Sequence, residues 1–181
     1  MAEPCITNEK VIRSFVLSEK LKAFCEHNSF DETVLRQKIL ELHNELSNCR
    51  DLLSKIDDTN RRQRFSKTIW YHKIVELEKC WVWPHMGQNQ NAFKTVLDAA
   101  SAFLNCEDKV AKFLRIRSCL NIIEQECPLI VFGPPGIHDS YDKFRRSIFE
   151  YYDIDDGNHR AIAAFFAGKK CLPAFVGLLK K

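Results

Sequence analysis

A run of apolar residues spaced alternately four and three apart constrains this chain more than any other feature. Leu35, Ile39, Leu42, Leu46, Cys49, Leu53 and Ile56 step by 4, 3, 4, 3, 4, 3, which places them on one stripe of an α-helix. Asp31 stands where its carboxylate can cap that helix. Glu, Lys, Arg and Asn occupy most other positions, so only the stripe asks for burial. A short polar turn, Asp57–Asn60, leads straight into another helical pattern. The spacing therefore predicts an antiparallel helical hairpin closed within the chain. Pairing of the Leu35–Ile56 seam with a second polypeptide is the alternative it leaves open.

The pattern after the turn, DTNRRQRFSKTIWYHKIVELEKCWVW (Asp58–Trp83), reads as a helix capped by Asp58 or Thr59 and stopped by Pro84. At helical spacing Arg61, Arg64, Lys67, Thr68 and Tyr71 share an arc of roughly 120°. Phe65, Ile69, Trp70, Ile74, Leu77, Cys80 and Trp81 cover the opposite side, with Arg62 and Lys73 at the border. A cationic stripe carrying a hydroxyl and a phenol suits the phosphates of a nucleic acid. A solvated surface helix is the plainer reading of the same residues.

The rest of the chain also reads as helical. Thr7 or Asn8 opens a first helix with Val11, Ile12, Phe15, Val16, Leu21, Phe24 and Cys25 on its apolar face. Helices follow over Asn91–Cys106 and Glu107–Cys127, after Asp139 or Ser140, and around Ile162–Phe166. Leu129–Gly136 reads as a buried extended run entering a turn, Asp153–Asn158 as a turn, and CLPAFVGLLKK as an apolar tail docked on the domain. Only six glycines and six prolines occur in 181 residues, which disfavours an all-β fold with many tight turns. The expected fold is all-α, seven or eight helices in two packed halves, residues 1–86 and 91–181. The polar stretch Pro84–Asn91 separates them, although both halves could share one core.

The eight cysteines are spread evenly with no CxxC, and MAEPCITNEK has neither a basic nor an apolar leader segment. They are expected to be reduced, buried thiols of a cytoplasmic protein. No apolar run approaches the ~18 residues of a membrane span. Two loops resemble ligand sites and miss the required residues. After Gly133-Pro-Pro-Gly136, His138, Asp139 and Ser140 stand where a phosphate-binding loop needs Gly, Lys and Ser/Thr. Around Gly157, Tyr152 and Ala163 stand where a calcium loop needs an acid at each end, so Asp153, Asp155, Asp156 and Asn158 read as a turn and helix cap. Cys25 with His27, and Cys80 with His85, lack the paired spacing of zinc ligands. Neither a metal, a cofactor nor a catalytic role is expected.

The cations remain. Arg61, Arg62, Arg64 and Lys67 form one group, Arg115 and Arg117 a second, Arg145 and Arg146 a third, Lys169 and Lys170 a fourth, each beside aromatic residues. The formal net charge is only +3, so a basic surface requires these groups to converge in space rather than pair with the 24 acids. With NRRQRFSK (Asn60–Lys67) and KFRRSIF (Lys143–Phe149) set in a chain of this length and helical content, the sequence resembles the all-helical RNA-silencing suppressors of closteroviruses. The resemblance implies a ring-like homo-oligomer that binds RNA with little sequence preference and sequesters small duplexes in an infected cell's cytoplasm. The residues themselves lead to the expectation of a non-enzymatic RNA-binding protein that grips the phosphate backbone through Arg61, Arg62, Arg64, Lys67, Tyr71, Arg115, Arg117, Arg145 and Arg146. A helical adaptor using the Leu35–Ile56 seam to hold a partner protein is the second expectation.

Overall fold

The helix under the arginines lasts only eight residues. A computed structural model describes residues 5–27, 31–82, 94–104, 107–133 and 151–179. It contains helices α1 (Asn8–His27), α2 (Glu32–Ser47), α3 (Thr59–Ser66), α4 (Val96–Phe103), α5 (Glu107–Glu126) and α6 (Asn158–Phe166). Among them run strands β1 (Cys5–Ile6), β2 (Thr68–Glu76), β3 (Cys80–Val82), β4 (Lys94–Thr95), β5 (Leu129–Phe132), β6 (Tyr152–Asp156) and β7 (Cys171–Leu179). The protein is mixed α/β, and the all-α expectation is wrong.

The error lies mainly in three segments. Six of the nine residues of β2, TIWYHKIVE, are β-branched or aromatic, types that favour a pleated strand over a helix. Thr68 closes α3 by donating its hydroxyl to the Arg64 carbonyl at 2.6 Å, and the chain then extends. The apolar tail is β7, which pairs with β2 over all nine residues, from Thr68 opposite Leu179 to Glu76 opposite Cys171. The expected turn at Asp153–Asn158 is β6 up to Asp156, followed by Gly157 with φ of +99° and then α6.

The seven strands form one sheet in the order β1-β2-β7-β5-β6-β3-β4. The β7–β5 and β6–β3 pairs are parallel, and all others are antiparallel. Strands from both sides of the Pro84–Asn91 stretch therefore interleave in a single sheet. β5 is the middle strand, and its four residues are buried on both faces. That explains why it reads as a continuous apolar run rather than an alternating one. Ile130 and Phe132 face a first core built with α1, α2, α3 and the end of α5. Leu129 and Val131 face a second core built with α4, α6 and Phe113 of α5.

The heptad seam is spent inside the first core. Asp31 caps α2 as expected, accepting from the amides of Thr33 at 2.7 Å and Val34 at 3.3 Å. Leu35, Ile39, Leu42 and Leu46 are buried. The helix ends at Ser47, however, where the Ser47 and Asn48 side chains donate back to the carbonyls of His43 and Asn44. A short 3-10 turn, Leu53–Lys55, then returns Leu52 and Ile56 to the same core. The partner of α2 is α1, not the arginine helix. The Arg13–Ser47 hydrogen bond, the Lys20–Glu45 ion pair and Lys38 over the Phe24 ring align the two helices antiparallel.

Trp70 locks the first core to the sheet. Its ring lies edge-on to Phe65 and tilted against Phe132, with centroids 5.2 and 5.3 Å away. It also packs against Gly177, its partner across the β2–β7 ladder. A Cβ at Gly177 would stand 2.7 Å from both Thr68 Cγ2 and Trp70 Cζ3. Gly177→Ala is therefore expected to lower unfolding free energy by about 1–3 kcal/mol through overpacking. Urea denaturation should show a reduced midpoint with an unchanged m value.

Candidate nucleic-acid interface

The cations of α3 divide by helical position. Asp58 caps the helix by accepting from the amides of Asn60 at 2.8 Å and Arg61 at 3.1 Å. Arg61 and Arg64, one turn apart, reach over the first-core face of the sheet to β6. Tyr152 and Ile154 of that strand pack into the second core, so Asp155 points the other way. Its side chain is 4% exposed and receives both guanidiniums: Arg61 Nε lies 2.8 Å from Oδ2, and Arg64 Nη2 lies 3.1 Å from Oδ1. The Arg61 contact is close but not aligned as a hydrogen bond. Arg61 also donates to the Asp155 carbonyl at 3.4 Å and stacks its guanidinium over Phe15, 4.8 Å from the ring centroid.

Burial pushes the Asp155 carboxyl above its ordinary value, and the charges of Arg61 and Arg64 draw it down by less. The pair of arginines thus offsets only part of the desolvation of the acid. Both arginine side chains remain about a quarter open to solvent, at 25% and 26%. Arg62 donates to the Thr59 hydroxyl at 3.0 Å, and Lys67 is exposed at the end of the helix. Among the described residues, neither Arg62 nor Lys67 has an acidic partner. Two cations share one buried carboxylate here and two more flank them, with the Asp58 carboxylate at the start of the same helix.

The other expected contacts are placed differently. Tyr71 lies on β2 with Lys73 over its ring at 6.0 Å, not on a helix with the arginines. Arg115 and Arg117 are exposed on α5, and the ion pairs that unite Arg61 with Arg64 do not extend to them. Arg145, Arg146, His85 and Gly136 lie outside the described residues. Lys169 is not a free cation: it binds Glu124 at 2.5 Å and Asn121 at 3.1 Å.

A second buried charge escaped the reading of the sequence. Arg160 of α6 donates to Asp156 at 2.7 Å, to the Ser18 hydroxyl of α1 at 3.2 Å and to the Cys127 carbonyl at the end of α5. It ties both helical layers to one end of β6. The signal was an Asp-x-x-x-Arg spacing beside the small apolar run Ala161–Ala164.

None of the seven described cysteines is in a disulfide, and Cys80, Cys119 and Cys127 are buried, whereas Cys5 and Cys171 are exposed. Burial pushes the Cys80 and Cys127 thiols up to about 12, which leaves them protonated and poorly nucleophilic. Among the described residues no group of three acids, histidines or cysteines could hold a metal ion, and no helix is long and apolar enough to cross a membrane.

Fold and site together define a mixed-sheet α/β protein with helices on both faces and four cations on one short helix. The chain matches no family model, no curated protein and no solved structure. Its sheet departs from the all-helical architecture that the resemblance to closteroviral suppressors implies.

The cap that starts α3 is pH-sensitive. The Arg61 amide bond holds the Asp58 carboxyl below its ordinary value against a smaller effect of burial, with the Asn60 amide and the charges of Arg61 and Arg64 adding to it. An acid with a lowered folded value contributes stability that is fully present above the unfolded value near ~4 and is lost as pH falls through the folded one. Asp58→Ala is thus expected to lose about 1 kcal/mol at neutral pH. Denaturation midpoints of the two proteins should converge as the pH is taken below about 4.

Proposed function

We propose that the protein binds RNA through its phosphate backbone, with α3 as the contact element. The observation that carries this reading is the arrangement of Arg61 and Arg64 on one buried carboxylate, with Arg62 and Lys67 beside them and no acid of their own. A guanidinium already fixed in direction loses less side-chain entropy when it meets a phosphate, and its planar fork matches the phosphate oxygens. The net upward displacement of Asp155 supports the same reading. A carboxylate buried at a net penalty is poorly explained by stability alone, and it holds two arginines that each keep about a quarter of the side chain open to solvent.

Backbone contacts carry no sequence information, so binding has low sequence preference and a strong salt dependence. The adaptor reading lacks its surface, because the seam residues Leu35, Ile39, Leu42, Leu46 and Ile56 are buried in the chain's own core.

The test is fluorescence anisotropy of a labelled short RNA duplex against the full chain at several salt concentrations. The expected result is tight binding with a steep negative slope of log affinity on log salt. The doubly reversed variant Arg62→Glu/Lys67→Glu, at residues outside the Asp155 cluster, should keep the far-ultraviolet spectrum and weaken binding. Its slope should be shallower by about one per lost phosphate contact. No binding at low salt, or a variant that binds with the parental slope, would sink the reading.

A further inference from the structure

A phosphate that meets Arg61 and Arg64 must share them with Asp155. Free of ligand, the two guanidiniums close on one carboxylate. A phosphate at the same guanidiniums sets two anions against two cations. Asp155 is 4% exposed, so the phosphate meets the open quarter of each arginine and not the acid itself.

The contacts that aim the arginines do not need the carboxylate charge. Arg61 donates to the Asp155 backbone carbonyl at 3.4 Å and stacks on Phe15, 4.8 Å from the ring centroid. Arg64 donates to Oδ1 at 3.1 Å, and a neutral carboxyl still accepts at one oxygen. The other oxygen, Oδ2, is buried and has no hydrogen bond among the described residues. Its neighbour is Arg61 Nε at 2.8 Å, which is not aligned to donate. Oδ2 is therefore the atom that can take a proton while the other contacts stay.

The surrounding groups favour the neutral acid. Burial holds the Asp155 carboxyl above its ordinary value against the smaller pull of Arg61 and Arg64, and the charge of Asp156 pushes it the same way. Asp156 is itself held by Arg160 at 2.7 Å. From the start of α3, Asp58 also draws on the charges of Arg61 and Arg64. The contact from α1 is the uncharged Phe15 ring.

We infer that RNA binding at Arg61 and Arg64 is coupled to the uptake of a proton by Asp155 at Oδ2. The inference rests on the RNA reading above. The proton comes from solvent, and the one bond formed is O–H. The neutral acid keeps the arginines aimed and leaves their charge to the phosphate. Because the complex holds one more proton than its free parts, affinity rises as pH falls, by at most about tenfold per pH unit.

The experiment follows the Asp155 carboxyl carbon by carbon-13 NMR of the full chain between about pH 4 and pH 8, free and saturated with a short RNA duplex. Its titration midpoint should be higher in the complex. Anisotropy at constant salt over the same range supplies the affinities. Parental binding should tighten on acidification. Asp155→Asn cannot take the proton and should bind on the order of tenfold more tightly than the parent near pH 8. The variant should also show a weaker pH dependence. Histidine titration contributes to both proteins alike, so their difference isolates Asp155. An acid with a raised folded value costs stability above its unfolded value, and that cost fades as pH falls. The Asn variant lacks it, so its urea midpoint at neutral pH should not fall below the parent's. An equal carboxyl midpoint in free and bound protein overturns the coupling and leaves the RNA reading standing, as does a folded variant with the parental pH dependence. If the variant does not fold, the carboxyl titration decides alone. Failure of the parent to bind the duplex at low salt overturns both.

Discussion

A charged carboxylate is costly to bury unless cations or hydrogen-bond donors meet it, and Asp155 places that demand on the fold. Strand alternation sends it to the first-core face once Ile154 has taken the second. The charges available are on α3, and Arg61 and Arg64 both close on it. Their reach fixes where α3 sits, and α3 in turn places Phe65. That ring lies edge-on to Phe15 at 5.7 Å and to Trp70 at 5.2 Å. Arg61 joins the charged and aromatic parts directly through its stack on Phe15. The ion pairs thus give direction to a core whose free energy comes chiefly from aromatic burial.

The neighbouring residue of β6 repeats the logic with the sign reversed. There the buried charge is Arg160, and the chain answers with Asp156, the Ser18 hydroxyl and the Cys127 carbonyl. These partners come from a strand, a helix of the first layer and the end of α5. One guanidinium therefore registers both helical layers against the sheet. Gly157 permits the arrangement: its backbone at φ +99° turns the chain into α6, and an added Cβ would stand 2.4 Å from a Leu129 methyl and 3.0 Å from Arg160 Nη2.

What the sequence disclosed follows the range of its interactions. Caps and helical stripes are local, so α1, α2 and α5 and the caps at Asp31 and Asp58 were legible. The strands were legible only where burial on both faces made a continuous apolar run, as in Leu129–Phe132. β2 was misread because its residues fit a helical stripe as well as a strand, and its partner lies about a hundred residues away in β7. β7 carries Pro173, which argues against an interior strand. Yet Pro173 faces β5 one residue before that pairing begins at Ala174, so its missing N–H breaks no ladder bond. The cations of α3 were visible, but their division was not. Asp155 was read as part of a turn, and nothing local joined it to residues more than ninety positions earlier.

That division separates cations held by the core from cations left at the surface within one short helix. Arg61, Arg64 and Phe65 fall on the inner side at i, i+3 and i+4, where they meet Asp155 and the aromatic core. Arg62 and Lys67 fall outside that arc, with a hydroxyl and solvent for company. Loss of an inner cation would leave a buried carboxylate underpaired and so change the fold and the surface together. Loss of an outer one changes the surface field while the core keeps its partners. The proposed charge-based recognition would therefore draw on residues the core does not need, beside residues it does.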